Sequence, residues 1–169
     1  GSGGGGGGGG ERQFGGASLK EELGLKHRRA TKQRVVTHKE RMHRLGLAIL
    51  YDNASSVSKW LYEGGREAIN ETYISYISGE RSPLALAALH GRPHILQKLL
   101  KAKADPNPGF GEVLRGGHPL LLAATSLDPH STSCVALLVE AKADICYRSK
   151  FGLTVCEHAK AVGNLEVAR

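Results

Sequence analysis

Apolar residues after position 80 fall into short blocks with helical spacing. "PLALAALHG", from Pro83 to Gly91, reads as one helix. Its Pro83 suits the first turn, where a missing N–H is harmless, and Gly91 suits the stop. Pro93 opens the next block, in which Ile95, Leu96, Leu99 and Leu100 recur on one face. Ala87 and Ala88 are small enough to let neighbouring helices approach closely. Upstream, Ala48 and Ile49 mark a further inner helix, and Val57, Trp60 and Leu61 fall at i, i+3 and i+4. Further back, Ser18 and Glu21 have capping-box spacing, and Val35, Val36, Met42 and Leu45 form only a thin apolar face.

The blocks repeat. "KAKAD" at 101–105 returns 39 residues later as "EAKAD" at 140–144. Pro83, Pro119 and Val155 fall in register, as do Ala87-Ala88, Ala123-Ala124 and Ala159-Lys160. Leu99-Leu100 matches Leu138-Val139. From Pro83 to Asp105 is 22 residues and from Asp144 to Val155 is 11, which together make a unit of 33. The longer spacings, 25 from Pro119 to Asp144 and 14 from Asp105 to Pro119, each carry three extra residues. The extra length falls in "SLDPHSTS" and "PNPGFGEVLRGG", which are rich in turn formers.

A 33-residue unit with this phrase structure resembles the ankyrin repeat, T-P-L-H-x-A-A-x-x-G followed by LL-x-x-G-A-D. The resemblance covers 81–169. Its Thr position holds Ser82, His118 and Thr154. Its His position holds Ala85, Leu121 and Glu157, so the family's Thr–His pair is missing throughout. Where the family places Gly before Ala-Asp, in a left-handed turn, this chain has Lys103 and Lys142, while the upstream copy keeps Gly64. Either the two turns relax, or each carries a penalty of about 1 kcal/mol. The implied fold is all-α, an ankyrin-type helical solenoid of antiparallel helix pairs joined by β-hairpin-like fingers and preceded by a basic helix. The expected organisation is a glycine-rich flexible segment or linker at 1–17 and a basic helical segment at 18–45. A divergent first repeat or helical cap follows at 46–80, then ankyrin-like repeats at 81–169. The register ends inside the last outer helix, which predicts a truncated unit and a parent chain that continues.

Charge adds a second theme. Residues 1–66 hold 12 Lys/Arg against 6 Asp/Glu, and 67–169 hold 11 against 10, giving +6 and +1 of the total +7. Within 26–44 the balance is 8 basic to 1 acidic, with His27, His38 and His43 added. Lys26, Arg28, Arg29, Lys32, Arg34, Lys39, Arg41 and Arg44 are therefore candidates for contact with nucleic acid or an anionic surface. No aromatic residues interleave with them, which counts against stacking on single strands. No apolar run approaches the ~20 residues of a membrane helix. Three cysteines, Cys134, Cys146 and Cys156, form no CxxC, so a reducing intracellular compartment, cytoplasmic or nuclear, is the expectation.

Candidate chemistry is sparse. The glycines in "GFGEVLRGG" lack the phosphate-loop pattern, and Cys156 with His158 lacks metal or nucleophile spacing. Cys156 is expected to be a small buried core thiol. No enzyme, metal or cofactor is expected. By its register, the family resemblance implies protein-partner contacts at Leu86, Leu89 and His90, at Leu122, Thr125 and Ser126, and at His158, Ala161 and Val162. It adds the finger Pro106–Arg115, with Phe110 and Leu114 as anchors. A far-ultraviolet circular dichroism spectrum dominated by helical bands is the expected outcome; a mainly β spectrum overturns the fold.

Overall fold

The computed structural model describes residues 1, 19–75, 79–108 and 117–168. The chain forms two compact units, 1–37 and 38–169. Helix α1 runs over Leu19–Leu50 and α2 over Ala54–Tyr62, followed by a 3₁₀ turn at Gly65–Ala68. Strands β1 (Tyr73–Ser75) and β2 (Gly79–Arg81) pair antiparallel, with Tyr73 opposite Arg81. Then come α3 (Pro83–Leu89), α4 (Pro93–Lys101), α5 (Pro119–Thr125), α6 (Ser131–Glu140) and α7 (Val155–Ala161).

Prolines open three of these helices: Pro83 in α3, Pro93 in α4 and Pro119 in α5. Side-chain caps open others. Ser82 Oγ accepts from the Ala85 N–H at 3.2 Å, and Asn53 Oδ1 accepts from the Ser56 N–H at 2.9 Å. Thr154 and Glu157 form a full capping box: the Glu157 N–H donates to Thr154 Oγ1, and the Thr154 N–H donates to Glu157 Oε2 at 2.7 Å. The bond from the Thr154 N–H, and after it the Thr154 hydroxyl donating to the same oxygen at 2.8 Å, hold the Glu157 carboxyl below its ordinary pKa. His118 precedes α5 without a side-chain cap.

Five of the helix ends share one device. At Lys103 (φ 74°) and Lys142 (φ 66°) the backbone is left-handed. The next N–H reaches back five residues, Ala104 to the Leu99 carbonyl at 3.0 Å and Ala143 to the Leu138 carbonyl at 2.9 Å. The lysine N–H groups bond Leu100 and Val139. This is the Schellman arrangement, which satisfies carbonyls that a helix end would otherwise strand. The same pair of bonds closes α1 at Asp52, α3 at Gly91 and α7 at Gly163. The turns have not relaxed, so Lys103, Lys142 and Asp52 each carry the steric cost of a Cβ at positive φ.

Helix α3 packs on α4, α5 and α6; α5 packs on α6 and α7; α4 packs on α6 and α2. The core joins Met42, Leu45 and Ile49 of α1 to Val57 and Trp60 of α2, then to Leu84, Ile95, Leu96, Leu99, Leu120, Leu138 and Val155. Ala87, Ala88, Ala123, Ala124 and Ala159 are all buried, so the inner helices meet through small side chains. Polar rungs tie each helix pair to the next. Asn70 Oδ1 accepts from the Asp105 N–H at 2.8 Å, and Asn107 Oδ1 accepts from the Asp144 N–H at 2.7 Å. Arg92 Nη2 donates to the Leu50 carbonyl at 3.0 Å, and Asn164 Nδ2 donates to the Ala124 and Ser126 carbonyls.

Several expectations need correction. No backbone break separates a basic segment ending at 45 from an inner helix starting at 46, because α1 is continuous across it. Met42 and Leu45 are core residues, so this end of the basic segment is anchored in the 38–169 unit. Residues 165–168 form turns rather than a regular outer helix. Cys156 is exposed, not buried, while its neighbour Val155 takes the core position. Helix α7 packs against α5, and no helix stacks on its other side among the described residues, so the face holding Cys156 stays open.

Replacing Lys103 or Lys142 with glycine removes a Cβ clash of roughly 1–2 kcal/mol but adds about 0.5–1 kcal/mol of unfolded-chain entropy. Each change is expected to raise the unfolding free energy by about 0.5–1 kcal/mol in urea denaturation. Gly91→Ala is expected to do the reverse, since its Cβ would enter at φ 59° and run into the Asp128 carboxylate.

Candidate protein-interaction surface

Three inner helices, α3, α5 and α7, pack in sequence, α3 on α5 and α5 on α7. Residues at their C-terminal ends are partly open: Leu89 and His90, Leu122 and Thr125, and His158 are half-buried, while Ala161 and Val162 are exposed. Two residues expected here are not available. Leu86 is fully buried, because α3 lies under α4, α5 and α6 and hides every side chain from Pro83 to Ala88. Ser126 is buried as a strut; its hydroxyl donates to the Leu89 carbonyl at 2.9 Å and accepts from the Asp128 N–H at 3.2 Å. The anchors Phe110 and Leu114 lie outside the described residues, as does the finger segment 109–116.

The part of that finger that is described is held at its base. Asn107 donates to the Lys142 carbonyl while its Oδ1 accepts from Asp144, and its own N–H is held by Asp105 Oδ1 at 2.8 Å. Asp144 repeats the local turn by accepting from the Cys146 N–H at 2.9 Å.

The following finger supplies an aromatic that sequence reasoning missed. Arg148 and Thr154 form a β-bridge, and the Ser149 N–H donates to the Leu153 carbonyl at 2.9 Å. Gly152 turns the tip at φ 76°. Phe151 stands there 71% exposed, with the Lys150 ammonium 5.0 Å from its ring centroid. His158 on α7 reaches the same finger, its Nε2 2.8 Å from Ser149 Oγ. The signal was present as an aromatic beside a turn glycine, in the same setting as Phe110.

His118 sits between the finger bases. It is 6% exposed and stacks on Tyr147, with centroids 4.1 Å apart and planes at 16°. Its buried Nδ1 has no hydrogen-bond partner among the described residues. Burial pushes its pKa below the ordinary value, against the opposing pull of Asp144 and Asp105. Burial also lowers His90, with Arg92 acting the same way and Asp128 opposing. Cys134 is wholly buried, and burial with the nearby Asp128 pushes its thiol up to about 12. Among the described residues, no group of three His, Cys, Asp or Glu side chains could hold a metal ion.

Of the basic candidates, Lys26 and Arg28 are exposed in the 1–37 unit, and Lys39, Arg41 and Arg44 are exposed in the other. The Arg29, Lys32 and Arg34 side chains lie outside the described residues. Arg41 is partly committed, since its Nη2 donates to the Glu63 carbonyl at 2.8 Å. No helix among the described residues is long and apolar enough to cross a membrane.

Residues 79–108 match the family model of the ankyrin repeat. No curated protein matches the chain. The matched ankyrin repeat comprises β2, α3, α4, the left-handed turn at Lys103 and the Asp105 finger base. It is a mostly helical unit, and such repeats are generic protein–protein interaction modules.

The depressed His118 and His90 values set a pH dependence. A histidine kept neutral in the fold takes up its proton at lower pH than in the unfolded chain, where the pKa is about 6.5. The unfolded state therefore binds more protons in this range, and stability falls as pH drops. Urea denaturation is expected to give a lower unfolding free energy at about pH 5.5 than at about pH 7.5, with a smaller drop in His118→Gln.

Proposed function

We propose that this protein is a non-catalytic interaction or scaffold module, an ankyrin-type helical solenoid that binds a protein partner on its inner-helix ends and fingers. The observation that carries this reading is the succession of α3, α5 and α7 together with a β-bridged finger presenting Phe151. Leu89, His90, Leu122, Thr125, His158 and Val162 supply the mixed apolar and polar surface around it. Exposed aromatics on a preordered frame suit a partner, because little entropy is lost when they are covered. By repeat register alone, Phe110 and Leu114, which lie outside the described residues, are included in the same proposed surface. Leu86 and Ser126 act from beneath it as support.

The second reading is a polyanion tether through 26–44. It is favoured by the exposure of Lys26, Arg28, Lys39 and Arg44. Deleting 26–44 would not separate the two readings, since it removes the core residue Met42. Charge neutralisation does separate them. Partners are captured from lysate with wild-type protein, with Phe151→Ala plus Leu89→Glu, and with Lys26, Arg28 and Lys39 all changed to Gln. The expected outcome is a saturably bound protein lost only with the first variant, at unchanged melting temperature. Retention by that variant, or loss only on neutralisation with a steep salt dependence, favours the tether.

A further inference from the structure

The C-terminal part of α1 and helix α2 enclose a groove that shares Arg41 and Arg44 with the tether reading but adds an apolar lining that neither reading above uses. It has a volume of about 430 Å³. Its floor is apolar, made by Ala48 and the edge of Trp60. Leu47 near the end of α1 and Tyr51 just past it, whose N–H donates to the Leu47 carbonyl at 3.0 Å, also line it, and Tyr51 is 81% exposed. Large apolar surface left open in this way costs free energy that a docked side chain would recover, at about 25 cal/mol per Å² covered.

The rim is charged with one dominant sign. Arg41 and Arg44 come from α1 and Lys59 from α2, against a single carboxylate, Glu63. Arg41 is held in place by its bond to the Glu63 carbonyl. Lys59 lies 3.9 Å from the Glu63 carboxylate, a long and solvated pairing that releases easily. Arg44 is exposed and makes no hydrogen bond or ion pair among the described residues. Its guanidinium fork is free for a carboxylate from outside.

We propose that this groove docks an acidic amphipathic peptide segment of a protein partner, with an aliphatic or aromatic side chain on the Ala48–Trp60 floor and carboxylates toward Arg44 and Lys59. Charge complementarity chooses the sign of the ligand, and the apolar floor chooses its class. A nucleic-acid backbone would satisfy the cations but leave Leu47, Tyr51 and the floor facing hydrated phosphate, and Glu63 would repel it. A helical segment with apolar residues at i and i+4 and acids beside them meets both demands. The residues involved are distinct from Leu89, Phe151 and the other inner-helix positions, so this site stands apart from the surface proposed above.

The test is fluorescence anisotropy with the full chain and a labelled synthetic helical peptide carrying Glu on one face and Leu and Phe on the other. The expected result is saturable binding that weakens as salt rises and drops by about tenfold or more in Arg44→Glu and in Tyr51→Ser. Both substitutions are at exposed positions and are expected to leave the thermal melt unchanged. Phe151→Ala is expected to leave affinity unchanged. A peptide with every Glu replaced by Lys is expected not to bind. Absence of saturable binding by the acidic peptide overturns the proposal. So does a duplex oligonucleotide that displaces the peptide and binds Tyr51→Ser as well as wild type.

Discussion

Helices α1 and α3 must each hand over to the next helix within three residues, and a left-handed residue, Asp52 or Gly91, makes each reversal possible. Five ends in the 38–169 unit, at Asp52, Gly91, Lys103, Lys142 and Gly163, use it with the same two backbone bonds. Fixing that turn aims the next segment, and the aim sets which faces can be buried. Ala104 and Ala143, immediately after the lysine turns, are then carried into the core. The turn thus converts a local steric penalty into the packing of Leu99 and Leu138. The balance is favourable because burying one leucine contributes roughly 1.5–3 kcal/mol, against about 1–2 kcal/mol for the strained residue.

Lateral register comes from a separate set of bonds. Asn70 to Asp105 and Asn107 to Asp144 span 35 and 37 residues and join successive finger bases. Arg92 and Asn164 do the same at the opposite ends of the helices. Each of these groups satisfies a backbone N–H or C=O in the neighbouring unit. A slip between units would therefore strand polar groups as well as misplace apolar ones, at about 1–3 kcal/mol for each one buried.

Much of this was legible in the order of residues. Pro83, Pro119 and Gly91 mark helix ends by their own geometry, and Ala-Asp marks the turns whose left-handed residue proved to be lysine. What was hidden depends on neighbours rather than on spacing. Leu86 and Leu122 occupy equivalent positions, yet one is fully buried and the other half-open, although three helices pack on each of α3 and α5. Ser126 has the composition of a surface residue but holds Leu89 from across a repeat boundary. Cys156 follows Val155 in a pattern that elsewhere buries both positions, and the open side of α7 leaves it in solvent. The α1–α2 groove joins residues of weak individual signal, Leu47, Tyr51 and Lys59, whose meaning appears only when two helices bring them together.

The three cysteines end up in contrasting settings. Cys134 is sealed between helices with its thiol raised to about 12, whereas Cys146 and Cys156 face solvent. Thiolate chemistry at Cys134 must wait for its surroundings to part. The protein consequently carries an internal clock: two thiols that label on mixing and a third whose labelling rate measures how often the α5–α6 pair opens.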